Sequence, residues 1–117
     1  MGTFRVTIEI GDPGGQRFEQ VEALVDSGAT YTFVPRSMLE ALGVHPHRTM
    51  SFEIADGARI ERDFGRTWLK LDGGQEVSPV IFGDDEVTPL LGAVTLEIFG
   101  LGIDPVNTRL VPVTALE

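Results

Sequence analysis

The chain has 117 residues, 42% hydrophobic and 23% charged, which is typical of a soluble globular protein and favours a single domain over 1–117. Its formal net charge of -9 at pH 7 argues against nucleic-acid and anionic-membrane partners, because both repel negative charge. The absence of cysteine excludes disulfides, thiolate catalysis and cysteine-ligated zinc.

The first third of the chain predicts a β-hairpin followed by a short helix. Residues 4–10 alternate polar and apolar side chains, as a strand with one buried face does. The turn-forming cluster at 11–15 predicts that residues 18–25 return as the second strand. Residues 35–42 predict a helix of about two turns, because proline opens it, apolar residues share one face and Gly43 can end it.

The middle of the chain predicts a second hairpin and one further strand. Residues 49–54 and 59–71 are its arms, and the Asp-Gly pair within 55–58 is a strong signal for the turn between them. Another turn at 72–74 leads to a strand predicted over 77–82.

The last third predicts a second short helix and a terminal strand pair. The segment Pro-Leu-Leu-Gly at 89–92 precedes a helix predicted over 93–99. Residues 101–103 and 109–113 are predicted to pair as strands. The whole pattern indicates a mostly β domain with two short helices, and strands this closely spaced favour a barrel or a sandwich.

Most sets of catalytic or metal-binding residues are incomplete in this sequence. His45 and His47 are too few for a nucleophilic triad or a histidine metal cluster, and their loop is expected to be solvated. The acidic run at 84–86 lacks the spaced oxygen ligands of a calcium loop, and a solvated loop is the favoured interpretation. The glycines at 11–15 precede a strand and lack the lysine of a phosphate loop. We therefore expect no metal and no cofactor.

Asp26 stands in the stretch Leu-Val-Asp-Ser-Gly-Ala-Thr, where apolar residues flank a carboxylate. One interpretation is a simple turn, because aspartate, serine and glycine all favour turns. Turns usually have polar neighbours, however, and a carboxylate in an apolar setting is costly unless function or hydrogen bonds compensate. The apolar setting therefore favours a functional carboxylate, either buried or on the floor of a cleft.

The order of these motifs resembles the retropepsin-like (retroviral-type) aspartic proteases, in particular the small single-domain versions in cellular genomes. The resemblance runs through nearly the whole chain and depends on the Asp-Ser-Gly-Ala loop at 26–29 and the Leu-Leu-Gly signature at 90–92. It implies a mostly β, closed barrel-like acid protease fold with two short helices and one lobe per chain.

The resemblance also implies roles for the loop residues. Asp26 would be the catalytic aspartate of an aspartic endopeptidase. Ser27 would brace the paired loops of two subunits, and Gly28 would let the backbone pass close to the carboxylate and the substrate. Ala29 would complete the loop.

Two further segments receive roles from the same resemblance. The hairpin over 50–62 would be a flap that closes over a bound peptide, with a tip formed by Ala55, Asp56 and Gly57. The signature residues Leu90, Leu91 and Gly92 would pack behind the catalytic loop.

Aspartic-protease chemistry needs two carboxylates that share one proton, a property of the whole class. The triplet Asp-Ser/Thr-Gly occurs once in this sequence. The resemblance therefore implies a twofold homodimer in which Asp26 of each chain meets its copy, acting on a peptide or protein substrate. Segments 1–10 and 108–113 are the candidates for the dimer sheet.

Some positions depart from the retroviral pattern. Thr30 and Tyr31 stand where retroviral enzymes carry acidic residues that hold the substrate backbone, and Ala93 stands where they carry a dimer-bracing arginine. The flap tip has one glycine, Gly57, instead of several. The missing bracing residues favour an alternative function, a catalytically silent retropepsin-like module for peptide binding or dimerisation, whereas the intact Asp-Ser-Gly triplet favours the enzyme.

The remaining expectations concern location and aromatic residues. No apolar run approaches the ~20 residues that span a bilayer, which favours a soluble protein without membrane contact. The sequence leaves the compartment undetermined, with a cytoplasmic location favoured over secretion. Trp68 shares a strand face with Arg66 and Lys70, and packing under their stems is favoured over a partner contact. Tyr31 and Phe33 share another face, which either the core or a substrate pocket explains.

Overall fold

The computed structural model describes residues 3–26 and 28–113 of the chain. The elements of this part follow one another as β1 (Phe4–Gly11), β2 (Phe18–Val25), β3 (Thr32–Pro35), α1 (Arg36–Ala41), β4 (Arg48–Glu53), β5 (Arg59–Leu71), β6 (Gly74–Gly83), β7 (Leu90–Leu91), α2 (Ala93–Ile98), β8 (Leu101–Asp104) and β9 (Arg109–Pro112). Each helix has six residues. Within the ranges described, no helix has the length and apolar character that crossing a bilayer requires.

Seven strands form one sheet that closes into a barrel. Their order is β1-β2-β7-β3-β6-β5-β4, and β1 pairs a second time, with β5, through Glu9 opposite Lys70 and Ile10 opposite Leu69. This second pairing closes a ring and leaves β4 outside it, on β5. The mostly β, barrel-like fold predicted from the sequence is confirmed, and the sandwich alternative is wrong. β8 and β9 form a separate two-stranded sheet.

The barrel interior is filled by residues that alternate with outward-facing ones along the strands. In β5, Thr67, Leu69 and Leu71 are buried, whereas Trp68 and Lys70 are only partly buried. The largest fully buried apolar side chains are Phe82, Ile8, Ile10, Leu39, Leu69, Ile81, Leu91, Val25, Val34, Val44 and Val80.

Trp68 lies on the outer face of β5, as its predicted register requires. A Cβ built on Gly15 would lie 3.1 Å from the indole Cδ1 of Trp68, so the ring packs against the first turn. On the same face, the Lys70 ammonium lies 4.2 Å from the centre of the Phe18 ring. Trp68 is thus engaged in packing within its own chain.

Two strands, β3 and β7, were not predicted. β7 has two residues and β3 has four, so neither is long enough for a period of two to stand out. Both depend on partners distant in sequence, since β3 pairs in parallel with β6 and β7 pairs in parallel with β2. The predicted bounds of the two helices agree with α1 and α2 to within one residue at each end.

Candidate active site

Three strand ends converge where the candidate aspartate lies. β2 and β7 run in parallel with Val25 opposite Leu91, so Asp26 and Gly92 leave the sheet side by side. β3 is antiparallel to β7 and therefore enters the sheet at the same end, starting with Thr32. The backbone N–H of Asp26 donates to the carbonyl oxygen of Leu91 at 3.2 Å. The loop over 26–31, which we call the catalytic loop, thus crosses the end of β7.

The Asp26 side chain is partly buried and is fixed by its own loop. Its Oδ1 accepts the backbone N–H of Gly28 at 2.9 Å, and its carbonyl oxygen accepts the N–H of Ala29 at 3.0 Å. A Cβ on Gly28 would lie 3.2 Å from the same Oδ1, so glycine allows this close approach. Ser27 lies outside the described residues, and its bracing role stays a prediction.

The first turn of α2 holds the catalytic loop from behind. Backbone N–H groups at the start of a helix lack acceptors within the helix. Here the N–H of Ala93 donates to the carbonyl of Ala29 at 2.8 Å, and that of Val94 donates to the carbonyl of Thr30 at 2.9 Å. The loop therefore caps the helix, and the helix fixes the two loop carbonyls.

Gly92 makes the closest approach between the Leu-Leu-Gly segment and the loop. Its backbone is extended, with φ -99° and ψ 175°, a conformation that any residue adopts. A Cβ at this position would nevertheless lie 2.5 Å from the carbonyl carbon and oxygen of Tyr31. The requirement for glycine is therefore steric. Leu91 is fully buried and Leu90 is partly buried.

A row of buried hydroxyl groups supports this corner, and sequence reasoning missed it. The N–H of Gly92 donates to Thr32 Oγ1 at 3.0 Å, and Thr32 Oγ1 lies 2.6 Å from Thr95 Oγ1. Ser78 Oγ lies 2.8 Å from the same Thr95 oxygen. The signal available in the sequence was a threonine inside each of two apolar stretches, around residues 32 and 95.

An apolar cavity of about 200 Å³ lies beside β7. Phe33, Ile60, Val87 and Leu90 form its apolar wall, and Arg62 lies on its border. Leu90 and its strand partner Phe33 both line it, and Leu90 immediately precedes Leu91, the residue that bonds the Asp26 backbone. The cavity is suited to an apolar side chain.

The two aromatic residues beyond the loop have different surroundings. Phe33 lines the cavity, and its ring centre lies 5.9 Å from that of Phe52 in β4. Tyr31 packs edge-on against Phe64, with ring centres 5.5 Å apart. Phe33 therefore borders a cavity, whereas Tyr31 packs against another aromatic ring of the protein.

The predicted flap segment is the hairpin of β4 and β5. Ala55, Asp56 and Gly57 form its exposed tip, where Ile54 N–H donates to the Ala58 carbonyl at 2.9 Å. Gly57 has φ +85°, a left-handed conformation that glycine adopts without strain. Ile60 and Arg62 connect β5 to the cavity, so this hairpin forms one of the cavity walls.

The acidic loop at 84–86 is exposed, in line with the solvated loop expected from the sequence, and two of its carboxylates also make contacts within the protein. Asp84 pairs with Arg62 at 3.3 Å, and Asp85 Oδ1 accepts the backbone N–H of Ser37 at 2.8 Å, near the start of α1. The loop thus links the base of the hairpin to α1. Among the residues that the structure describes, no group of three acidic or histidine side chains is placed to hold a metal ion.

Comparison with known proteins agrees with this geometry. The sequence model of a family described as aspartyl protease matches residues 6–94. The solved protease of simian foamy virus (mac) is 25% identical, covers 82% of this chain and 94% of its own, and superposes with a TM-score of 0.59. A search of curated proteins found no match.

Two cellular structures share the fold at lower identity. The retroviral protease-like domain of Ddi1 from Leishmania major is 22% identical, with a TM-score of 0.59 over 96% of this chain and 89% of its own. A retropepsin-like aspartic protease from Rickettsia conorii is 20% identical, with a TM-score of 0.55 over 89% of each chain.

Proposed function

Because the chain belongs to the aspartyl protease family, we propose that it is an aspartic endopeptidase that acts as a homodimer. The observation that carries this proposal is the setting of Asp26. Asp26 directly follows β2, its carboxylate is oriented by the Gly28 N–H, and an apolar cavity lined by Leu90 lies beside β7. The triplet of Asp26 occurs once in the sequence, so a second carboxylate has to come from a second copy.

In the proposed reaction, Asp26 of each subunit contributes one carboxyl group to a shared site. The ionised group takes a proton from a water molecule, whose oxygen attacks the carbonyl carbon of the peptide bond. The protonated group donates its proton to the carbonyl oxygen. The tetrahedral intermediate then collapses: one of its hydroxyl groups returns a proton to the ionised carboxylate, the C–N bond breaks, and the amine leaves with the proton that water gave up.

The substrate is proposed to be an extended peptide that lies under the β4–β5 hairpin. An apolar side chain of the peptide would enter the cavity formed by Phe33, Ile60, Val87 and Leu90. Extended peptides direct alternate side chains to opposite sides, so one such pocket per subunit would select residues on both sides of the cleaved bond. The hairpin would then act as the flap.

The terminal strands offer the contact for the second copy. β9 pairs with β8 alone in the part of the chain described, and isolated two-stranded sheets are marginally stable in water. β1 is paired with β2 along its length, and with β5 at Glu9 and Ile10. Of the two predicted segments, 108–113 is therefore the better candidate for the dimer sheet, with the beginning of β1 beside it.

The decisive test is Asp26→Asn, assayed on a denatured protein between about pH 3 and about pH 8, a range that brackets the ordinary carboxyl pKa. The amide keeps the size of the side chain but cannot act as the base, so cleavage should disappear while circular dichroism is unchanged. The matched control Asp72→Asn makes the same change at an exposed turn residue with φ 52° and should cleave like wild type.

Cleavage that survives in Asp26→Asn would contradict the proposal. If the wild type shows no cleavage in this range that a statine-type inhibitor blocks, the peptide-binding module becomes the favoured function. Sedimentation tests the homodimer separately. A strict monomer at high concentration, both alone and with the inhibitor, would exclude the two-subunit site.

A further inference from the structure

The buried hydroxyl groups of Thr32, Thr95 and Ser78 form a continuous chain between three elements, β3, α2 and β6. All three residues are 0% exposed, so water does not reach these oxygens. No buried side-chain nitrogen or oxygen among the described residues lacks a hydrogen-bond partner. Each of the three hydroxyl groups therefore has hydrogen-bond partners, and removing one of them would leave its neighbours without a partner.

The two ends of the chain fix the direction of every bond in it. Ser78 Oγ donates to the carbonyl oxygen of Pro79 at 3.1 Å, so its one proton is used and Thr95 must donate to Ser78. The proton of Thr95 is then used in turn, so Thr32 must donate to Thr95. Thr32 is left free to accept the N–H of Gly92. A single arrangement of protons satisfies all four bonds.

This chain of hydrogen bonds leads to the two residues that border the catalytic loop. Thr32 is the first residue after the loop, and Gly92 lies against the backbone of Tyr31 within it. From these contacts we infer that Thr95 is a positioning residue, whose hydroxyl group fixes Thr32 and Gly92 and thereby the loop that bears Asp26. The effect on turnover rests on the proposed peptidase function, whereas the effect on loop geometry does not.

Thr95 is the member whose loss should matter most, because it occupies the middle of the chain. Without its hydroxyl group, the Thr32 proton has no acceptor and the Ser78 oxygen has no donor, both in a place without water. A buried hydroxyl group left without a partner is costly, so Thr32 should turn toward another acceptor. The N–H of Gly92 would then lose its acceptor too.

The test compares Thr95→Val, which keeps the size and removes the hydroxyl group, with Thr95→Ser, which keeps the hydroxyl group. The matched control is Thr67→Val. Thr67 is also buried, and its hydroxyl group donates to the carbonyl of Gly11, away from the catalytic loop. Loss of one buried hydroxyl group is thus common to both valine variants, and position is what differs.

The first measurement is amide hydrogen exchange in the full-length protein. This measurement does not require the protein to have peptidase activity. In Thr95→Val, exchange at Ala29, Ala93 and Val94 should accelerate at least about tenfold relative to Thr67→Val, and Thr95→Ser should restore the wild-type rates. Equal exchange in the two valine variants would overturn the inference. If Thr95→Val does not fold, Ser78→Ala replaces it, since this variant leaves the Thr95 proton without an acceptor, and the same criterion applies.

The second measurement is the split between kcat and KM on a peptide substrate. Small displacements of a catalytic group can cost up to about a hundredfold in rate, so kcat should fall about tenfold or more in Thr95→Val while KM changes less than about twofold. An unchanged kcat would also overturn the inference. Wild type that cleaves nothing would refute the peptidase function, and the exchange rates would still decide the positioning role.

Discussion

Replacement of Gly92 by alanine tests the packing between the Leu-Leu-Gly segment and the catalytic loop. The added Cβ would lie 2.5 Å from the carbonyl carbon and oxygen of Tyr31, whereas ordinary contacts begin at 3.4 Å. The two backbone segments would have to separate by about 1 Å, because neither atom belongs to a side chain that can rotate away. Gly92→Ala should therefore displace the loop.

The cost follows from the bonds that such a displacement breaks. Forcing an extra methyl group into a packed site costs about 1–3 kcal/mol. Separation by about 1 Å would also lengthen the Ala93–Ala29 and Val94–Thr30 bonds, now 2.8 and 2.9 Å, beyond hydrogen-bonding range, at about 1 kcal/mol each. The free energy of unfolding should fall by roughly 3–5 kcal/mol, a large part of the ~5–15 kcal/mol of an ordinary domain.

Urea unfolding followed by the fluorescence of Trp68, the single tryptophan, measures this loss. The matched control is Gly14→Ala. A Cβ on Gly14 would come no closer than 3.8 Å to any other group, and its φ is not left-handed. Both substitutions reduce the entropy of the unfolded chain alike, so the difference between the two variants isolates the contact with Tyr31.

Equal stability of the two variants would refute the reasoning. It would mean that the backbone at residue 92 does not approach the loop as closely as the structure has it. A loss confined to Gly92→Ala, with faster exchange of the Ala93 amide, would instead show that steric contact at this position fixes the loop on α2.

Three further outcomes are expected. Leu39→Ala should lower the free energy of unfolding by about 2–5 kcal/mol in the same urea assay, because Leu39 is fully buried and a cavity remains. Hydrogen bonds from Asn107 hold the pKa of Asp104 below its usual 3.8, so the stabilisation is present above that value and is lost as pH falls through the lower one. The stability difference between wild type and Asp104→Ala should therefore shrink below about pH 4, and a constant difference would contradict this. Val87→Phe should fill the cavity and raise KM for peptides with a bulky apolar residue about tenfold, and an unchanged KM would exclude the pocket.

The sequence predicted those features that depend on local patterns. Alternation revealed most strands, and the Asp-Gly turn indicated the β4–β5 hairpin. The apolar residues on both sides of Asp26 identified the candidate site, because a carboxylate in such a setting is costly unless function or hydrogen bonds compensate. Each of these signals lies within a window of about ten residues.

Features that depend on distant partners could not be predicted. β7 is a strand only because β2 and β3 lie on either side of it. Likewise, Thr32 and Thr95 are 63 positions apart, and Ser78 and Thr95 are 17 apart, so no local pattern announces their hydrogen bonds. A buried threonine looks the same in sequence whether its hydroxyl group bonds its own helix or a catalytic loop.

The absence of an arginine at position 93 affects the proposed dimer more than the loop. The contact between α2 and the loop uses the backbone N–H of Ala93, so it forms whatever side chain stands there. Bracing between subunits, by contrast, would need the missing side chain and must come from elsewhere, with β9 as one strand that has a free edge in the described part of the chain. A subunit interface with fewer braces depends more on the peptide bound between the subunits, because that peptide contacts both. Comparing sedimentation with and without the inhibitor therefore measures how far substrate binding and dimer formation are coupled in this chain.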